Sequence, residues 1–268
     1  MNKDTSVKTG KALPLFFYTA IFTVFGMFFQ AMAVVFGYDP VMQVFKSEST
    51  IGTFSCAILF AECIIYALLS IFLLKGNKQL PQKPLVSDVS AFFSTVAGCV
   101  MIASSVMLLR ETGAVSGNIH KITTAMAVLS VPAGISFVLS SLNQSLNKFL
   151  TYLGFFPVLW AAACLLRIYF DTGSAINDPI RILFQISFVV IMLALLFEQK
   201  VRVGKKGTLP LMIFSGIAVI LGCAAVLSMT VLFFIPRTVT IGEVLLATAE
   251  LLICLNFFVN MFSELKQI

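Results

Sequence analysis

Three ionisable side chains stand well inside long apolar runs of this 268-residue chain: Glu62, Arg167 and Glu250. A charge at the middle of a lipid layer costs on the order of 3 kcal/mol on insertion scales, so such residues face protein, pair, or carry a proton. Glu62 and Glu250 lie almost at the centres of their runs, whereas Arg167 lies towards the end of its own. A carboxyl in low dielectric holds its proton more tightly than one in water, which suits it to proton or cation carriage. Arg167 has two readings. It either reaches inward to pair with Glu62 or Glu250, or lays its aliphatic stem out towards the interface. Trp160 precedes it by seven residues and shares its helical face, which would permit a cation–π contact.

Polar neighbours accompany the carboxylates. Ser55, Glu62, Tyr66 and Ser70 fall on one face of a helix, and Thr19, Thr23, Gly26 and Gln30 form a similar stripe in the first run. Glu243 and Glu250 share a face of the last run, Asn256 and Asn260 mark another, and Gln185 adds a polar group to the sixth. Glu62, Glu250, Arg167, Gln30 and Tyr66 are therefore the candidates for a substrate or ion pathway. Stripes of this kind also hold helices together with no transport at all.

Other chemistries lack their residues. There is no H-E-x-x-H and no G-x-S-x-G, no Asp or Lys deep in an apolar run, and no glycine-rich phosphate loop. The single His120 cannot make a two-histidine haem site. Cys56, Cys63, Cys99, Cys164, Cys223 and Cys254 all lie in apolar runs without C-x-x-C spacing, as small packing residues do. The sequence thus predicts no catalytic residue, no metal and no cofactor.

The elements that position these residues follow from composition. The chain is 59% hydrophobic and 11% charged, with a mean hydropathy of +1.00. A soluble domain carries about 25% charged residues. The apolar residues gather in eight runs, 13–37, 51–74, 86–109, 121–142, 149–170, 179–199, 209–235 and 241–262. Each is close to the roughly 20 residues that a helix needs to cross a bilayer. The fold class is an all-α, polytopic bundle with about eight spans, forming a single integral-membrane domain over 1–268. The connections leave no room for a soluble domain. Lys3, Lys8 and Lys11 precede a run containing Ala31-Met32-Ala33, but the apolar stretch exceeds a signal h-region and reads as an uncleaved first span.

The net charge of +6 sets orientation rather than nucleic-acid binding. Lys3, Lys8, Lys11, Lys75, Lys78, Lys83, Lys148, Lys200, Arg202, Lys205, Lys206 and Lys266 fall on one side, against Lys46, Arg110, Lys121, Arg181 and Arg237 on the other. The richer side is cytoplasmic by the positive-inside rule, placing both termini inside. An even span count agrees.

Punctuation and packing can be read as well. Asp178-Pro179 is a helix N-cap followed by proline at the first helical position, and Thr240 with Glu243 has capping-box spacing. Ser90, Ser94 and Gly98, and likewise Ala218 and Gly222 with Ala225 nearby, recur at spacings that let helix backbones approach closely. Pro132 and Pro157 fall inside the fourth and fifth runs and predict kinks, hence candidate hinges. Ser136, Ser140 and Ser141 follow Pro132 and could satisfy freed backbone groups.

The stretch Phe156-Pro157-Val158-Leu159-Trp160, then Arg167, then Phe197-Glu198 at the end of the sixth run, resembles a pattern in uncharacterised polytopic membrane proteins of bacteria. That resemblance implies a bacterial plasma membrane and carries no activity. Two functions fit the residues. One is a small secondary transporter or permease working through the intramembrane carboxylates. The other is a non-transporting scaffold or sensor that binds a partner through its seams and basic loops. The expected partners are membrane lipids and a protein or second copy of the chain, not nucleic acid. A wet cavity between the second, fifth and eighth spans would favour the transporter, and a dry core the scaffold.

Overall fold

Each long apolar run becomes a helix because a helix satisfies its own backbone hydrogen bonds, the one economical solution in a medium without water. The computed structural model describes residues 13–39, 41–46, 50–74, 87–113, 117–142, 148–171, 175–234 and 239–265. The helices are α1 (Leu13–Met32), α2 (Thr50–Leu74), α3 (Asp88–Thr112), α4 (Asn118–Leu142), α5 (Lys148–Leu153), α6 (Phe156–Phe170), α7 (Pro179–Arg202), α8 (Thr208–Phe234) and α9 (Ile241–Leu265). Among the described residues, eight spans are long and apolar enough to cross a membrane. The fold is an all-α polytopic bundle. The basic residues Lys3, Lys8, Lys11, Lys75, Lys78, Lys83, Arg237 and Lys266, and the side chain of Lys148, lie outside the described residues.

An even number of spans brings α1 and α9 to the same side, called here the terminal face. The opposite side is the hairpin face. There α1 continues through a π-helical turn, Ala33–Gly37, into a short antiparallel hairpin of β1 (Tyr38–Asp39) and β2 (Val44–Phe45), with Tyr38 opposite Phe45. Its turn places Gln43 at φ 56°, an uncommon region for a residue with a side chain. The Gln43 side chain accepts the Ala175 N–H at 2.6 Å, and Tyr38 donates to Asp178 Oδ1 at 3.2 Å, so the hairpin is pinned to the start of α7.

Two predicted caps are in place. Asp178 Oδ1 accepts the Ile180 N–H at 3.0 Å. Thr240 and Glu243 exchange backbone-to-side-chain bonds at 3.0 and 3.3 Å. A third was not foreseen. Glu111, at the end of α3, accepts the Gly242 N–H at 2.9 Å, which sets a carboxylate against the positive end of the α9 dipole.

The fifth run departs from the prediction. Pro157 does not kink a continuous span. The helix stops at Leu153, turns through Gly154 and Phe155, and restarts at Phe156 with Pro157 in its first turn. The helix ends there because Pro157 has no N–H for the Leu153 carbonyl and its ring crowds that carbonyl; the Gln199 side chain of α7 occupies the space beside Gly154 where a β-carbon would stand. Proline in a first helical turn loses no hydrogen bond, so the break costs little. Pro132, by contrast, lies within one unbroken helix, α4. Ser140 and Ser141 there donate to Phe137 and Val138 carbonyls, not to the carbonyl that Pro132 leaves free.

α8 forms the centre and is the most buried of the eight spans. It packs against α1, α2, α7 and α9. α3 lies between α4 and α9, and α6 between α4 and α7. The α3–α4 crossing is close because Gly98 and Gly134 face one another. A β-carbon on either would sit 2.6 Å from the other's carbonyl oxygen. Ser94 adds a hydrogen bond to the Phe137 carbonyl at 3.0 Å. Dispersion and such bonds replace the hydrophobic effect between helices in lipid.

Two outcomes follow. Gly98→Ala should destabilise the protein by ~1–3 kcal/mol, because the atom it meets is backbone and cannot swing away. Denaturant unfolding in micelles measures this, and parental stability would contradict so close a crossing. At the hairpin, amide N–H bonds from Met42 and Val41 hold the Asp39 carboxyl below its usual range. Its contribution to the turn is complete above the ordinary Asp value of about 3.9 and disappears as pH falls through the lowered value. A carboxyl ¹³C titration should therefore place the Asp39 midpoint below that of an ordinary aspartate; a midpoint at or above it would contradict the bonding.

Candidate functional site

The polar stripes of α1 and α2 meet. Thr19, Thr23, Gly26 and Gln30 are the buried positions of α1 apart from Leu15, and Ser55, Glu62, Tyr66 and Ser70 are buried on α2. The helices run antiparallel, so the stripes form rungs. Nearest the hairpin face, Ser55 donates to Gln30 Oε1 at 2.5 Å. At mid-span, Glu62 lies against Gly26, where a β-carbon would fall 2.7 Å from Oε2. Towards the terminal face, Thr19 lies close to the Tyr66 hydroxyl.

Glu62 is the anomaly of this seam. It is 5% exposed, and both carboxylate oxygens are buried without a hydrogen-bond partner. The hydroxyls around it are committed to their own helices: Thr19 to the Leu15 carbonyl, Thr23 to the Thr19 carbonyl. Glycine at position 26 makes room for the carboxyl but supplies no side-chain donor. The seam is also peripheral, because α2 is the least buried of the eight spans.

Tyr66 carries the stripe inward. Its ring fills the notch left by Gly216 of α8, where any β-carbon would collide with it. Its hydroxyl lies 3.3 Å from both the Met212 carbonyl of α8 and Met261 Sδ of α9. Those two methionines also line a small, narrow recess at the terminal face, together with Glu198, Ser215, Phe257 and Asn260. The other side of that recess's wall is polar as well. Ser90 Oγ lies 2.9 Å from Asn256 Oδ1 and 2.5 Å from Asn260 Oδ1. A hydroxyl has one proton to give, so one amide must turn its NH₂ to the serine.

Of the predicted pathway residues, then, the structure brings Gln30, Glu62 and Tyr66 to one seam. It places Glu250 and Arg167 elsewhere. Glu250, on α9, is fully buried behind α8, with Oε1 accepting the Ser187 hydroxyl of α7 at 2.5 Å and Oε2 unpartnered. Gly222 and Cys254 pack beside it, and Cys254 reaches the Ala218 carbonyl at 3.3 Å. Arg167 forms no ion pair with either glutamate; among the described residues the ion pair is Arg202–Glu198 at 2.7 Å. Nor is its stem laid out on the surface, since it is 7% exposed with Nε unpartnered. The reason is the packing of α6, whose neighbours are α4 and α7 rather than α2. Trp160 does not meet Arg167 in a cation–π contact but donates to Ser105 at 3.2 Å and stands edge-on to Phe188.

The second, fifth and eighth spans do not pack as a trio: α8 adjoins α2 and α9, while α7 adjoins α6. Ser90, Ser94 and Gly98 line the contacts of α3 with α4 and α9, and Ala218 and Gly222 those of α8 with α9. No metal-binding group of three ligands occurs among the described residues. Sequence reasoning missed Ser187, Gly216 and the recess position of Glu198. Gly216 carried a signal, a glycine within an apolar helix, but nothing local named Tyr66 as its occupant.

No protein family, curated protein or solved structure matches this chain. The functional reading therefore rests on geometry.

Ser187 is the partner that makes the buried Glu250 tolerable. Ser187→Ala should cost ~1–3 kcal/mol, the usual penalty for orphaning a buried polar group. Glu250→Gln, which keeps an acceptor and removes the titrating group, should be close to parental. Thermal unfolding in detergent distinguishes the two, and a neutral Ser187→Ala would show that the hydroxyl does not support the carboxyl.

Proposed function

We propose that this chain is a small secondary transporter of a bacterial plasma membrane, oriented with both termini in the cytoplasm, in which Glu62 carries a proton or a monovalent cation. The observation that supports it is the Glu62 carboxyl itself, midway along α2 with neither oxygen partnered. A structural carboxylate at that depth is normally paired or hydrogen-bonded. One without a partner needs a compensating proton or cation, and exchanging that charge is the elementary step of a coupled carrier. Gln30 and Ser55 on one side of Glu62 and Thr19 and Tyr66 on the other give polar groups along which the charge could move. Placement at a two-helix seam favours exchange too, since only α1 need shift to expose the carboxyl.

Glu250 supports a different role. Enclosed and bonded to Ser187, it fits interhelical glue better than a pathway. That same dense centre around α8 is what would favour the scaffold or sensor reading, with membrane lipids, another protein or a second copy as partner.

Reconstituted into vesicles with an imposed potential, the parent should take up protons or the chosen cation. Glu62→Gln should abolish uptake, whereas Glu250→Gln should spare it. A lipid-soluble carbodiimide, which adds the carboxyl O–H across its C=N bond, should modify Glu62 in preference to Glu250 by mass spectrometry. If the Glu62→Gln vesicles behave like the parent, the transporter reading falls and the scaffold takes its place.

A further inference from the structure

The surroundings of Glu62 bear on which charge it exchanges. α2 packs against α1, the π-helical turn and α8. Residues 13–37, 50–74 and 208–234, which make up these elements, contain no Asp, Lys, Arg or His, and Glu62 is the one Glu. No fixed cation on them can balance an ionised Glu62. The remaining titratable groups are few. Cys63 stands beside Glu62 on α2, with Tyr66 one turn further on and Cys56 nearer the hairpin face. On α8, Cys223 interacts with Glu250 instead, and Tyr18 of α1 is exposed.

A hard metal cation is held by about six oxygens. Membrane carriers typically supply them where helices are discontinuous and unwound carbonyls point at the ion. Neither helix of the seam is broken near Glu62. α2 is continuous from Thr50 to Leu74, and α1 from Leu13 to Met32. The π-helical turn begins at Ala33, roughly 10 Å along the axis from Gly26. Carbonyls inside a continuous helix are taken up by its own N–H groups. The rung itself adds no oxygen, since Glu62 and Leu59 are the side chains against Gly26, which has none. Gln30 Oε1, one turn further along α1, already accepts the Ser55 hydroxyl. A proton needs a single oxygen lone pair and no coordination shell, and both Glu62 oxygens are buried without a partner.

We propose that the charge exchanged at Glu62 is a proton, and not sodium, potassium or another metal cation. At rest the carboxyl keeps its O–H. In exchange that proton passes to water on one side of the membrane, and the carboxylate takes another from water on the other side, so the seam returns unchanged. Coupling to a proton gradient rests on the transporter reading, whereas occupancy of Glu62 by a proton does not.

The test reads the occupant of Glu62 chemically. A lipid-soluble carbodiimide reacts with a carboxyl that carries its proton, and an alkali ion bound there would shield it. The full chain in vesicles is labelled in choline chloride, or at the same ionic strength in sodium, potassium or lithium chloride. Modification of Glu62 is counted by mass spectrometry, with Glu62→Gln as the blank. Labelling should be equal in the four salts at one pH, and should fall roughly tenfold per pH unit above the carboxyl's titration midpoint. Protection by any of the alkali ions, labelling that ignores pH, or no labelling of Glu62 at any pH would overturn the proposal. Proton uptake under the imposed potential should likewise persist in choline alone. Uptake that needs an alkali ion removes the proton and leaves the transporter. Parental uptake by Glu62→Gln removes the transporter, while labelling in the four salts still decides the proton.

Discussion

The ring of Tyr66 lying in the notch at Gly216 is the contact on which the other arrangements depend. It draws α2 onto α8 at the level where α1 and α9 also converge, since the same side chain meets Thr19, the Met212 carbonyl and Met261. A larger residue at position 216 would push α2 outward. The α1–α2 seam would then lose its support against α8. A tyrosine suits the position because its body is apolar while its hydroxyl needs a partner when buried. In lipid depth that partner has to be protein, and two acceptors from two helices are within reach.

The same need for internal satisfaction explains why most of the polar residues do not signal water. Ser70, Thr95, Thr112, Thr123, Thr124, Ser228, Thr230 and Thr248 each donate to the carbonyl four residues earlier in their own helix. A short hydroxyl can fold back in this way and become nearly apolar to its surroundings. A carboxylate cannot, having no proton to donate when ionised and no neighbouring N–H free within a helix. Hydroxyl stripes therefore count for little, and the carboxyls stand out by what they fail to bond.

Eight spans and their caps were legible because they depend on local quantities, run length, proline position and the Asp178 and Thr240 side chains. What fills the space beside Gly154 was not, since it is Gln199 arriving from α7, forty-five residues along the chain. Pairing of Arg167 with a glutamate was a reasonable reading of depth alone. Depth does not say which helices adjoin, and α6 lies against α4 and α7. The candidate set divided for the same reason. Gln30, Glu62 and Tyr66 belong to spans joined by a short hairpin and were bound to be neighbours, whereas Glu250 and Arg167 depended on how distant helices assort around α8.

Glu62 and Glu250 look alike in the sequence, each an isolated acid near the middle of an apolar run, yet their surroundings differ. Glu250 sits where three helices converge, and any change in its charge would have to be absorbed by α7, α8 and α9 together. Its serine partner and enclosing cysteines make a rigid socket, which resists exchange. Glu62 lies against Gly26 across a two-helix seam, so in the proposed transporter its proton or cation is replaced with the displacement of a single peripheral helix. Coupling requires a group that is costly to charge and cheap to reach. In the proposed transporter only the seam position combines the two, and the Tyr66 ring ties that seam to α8.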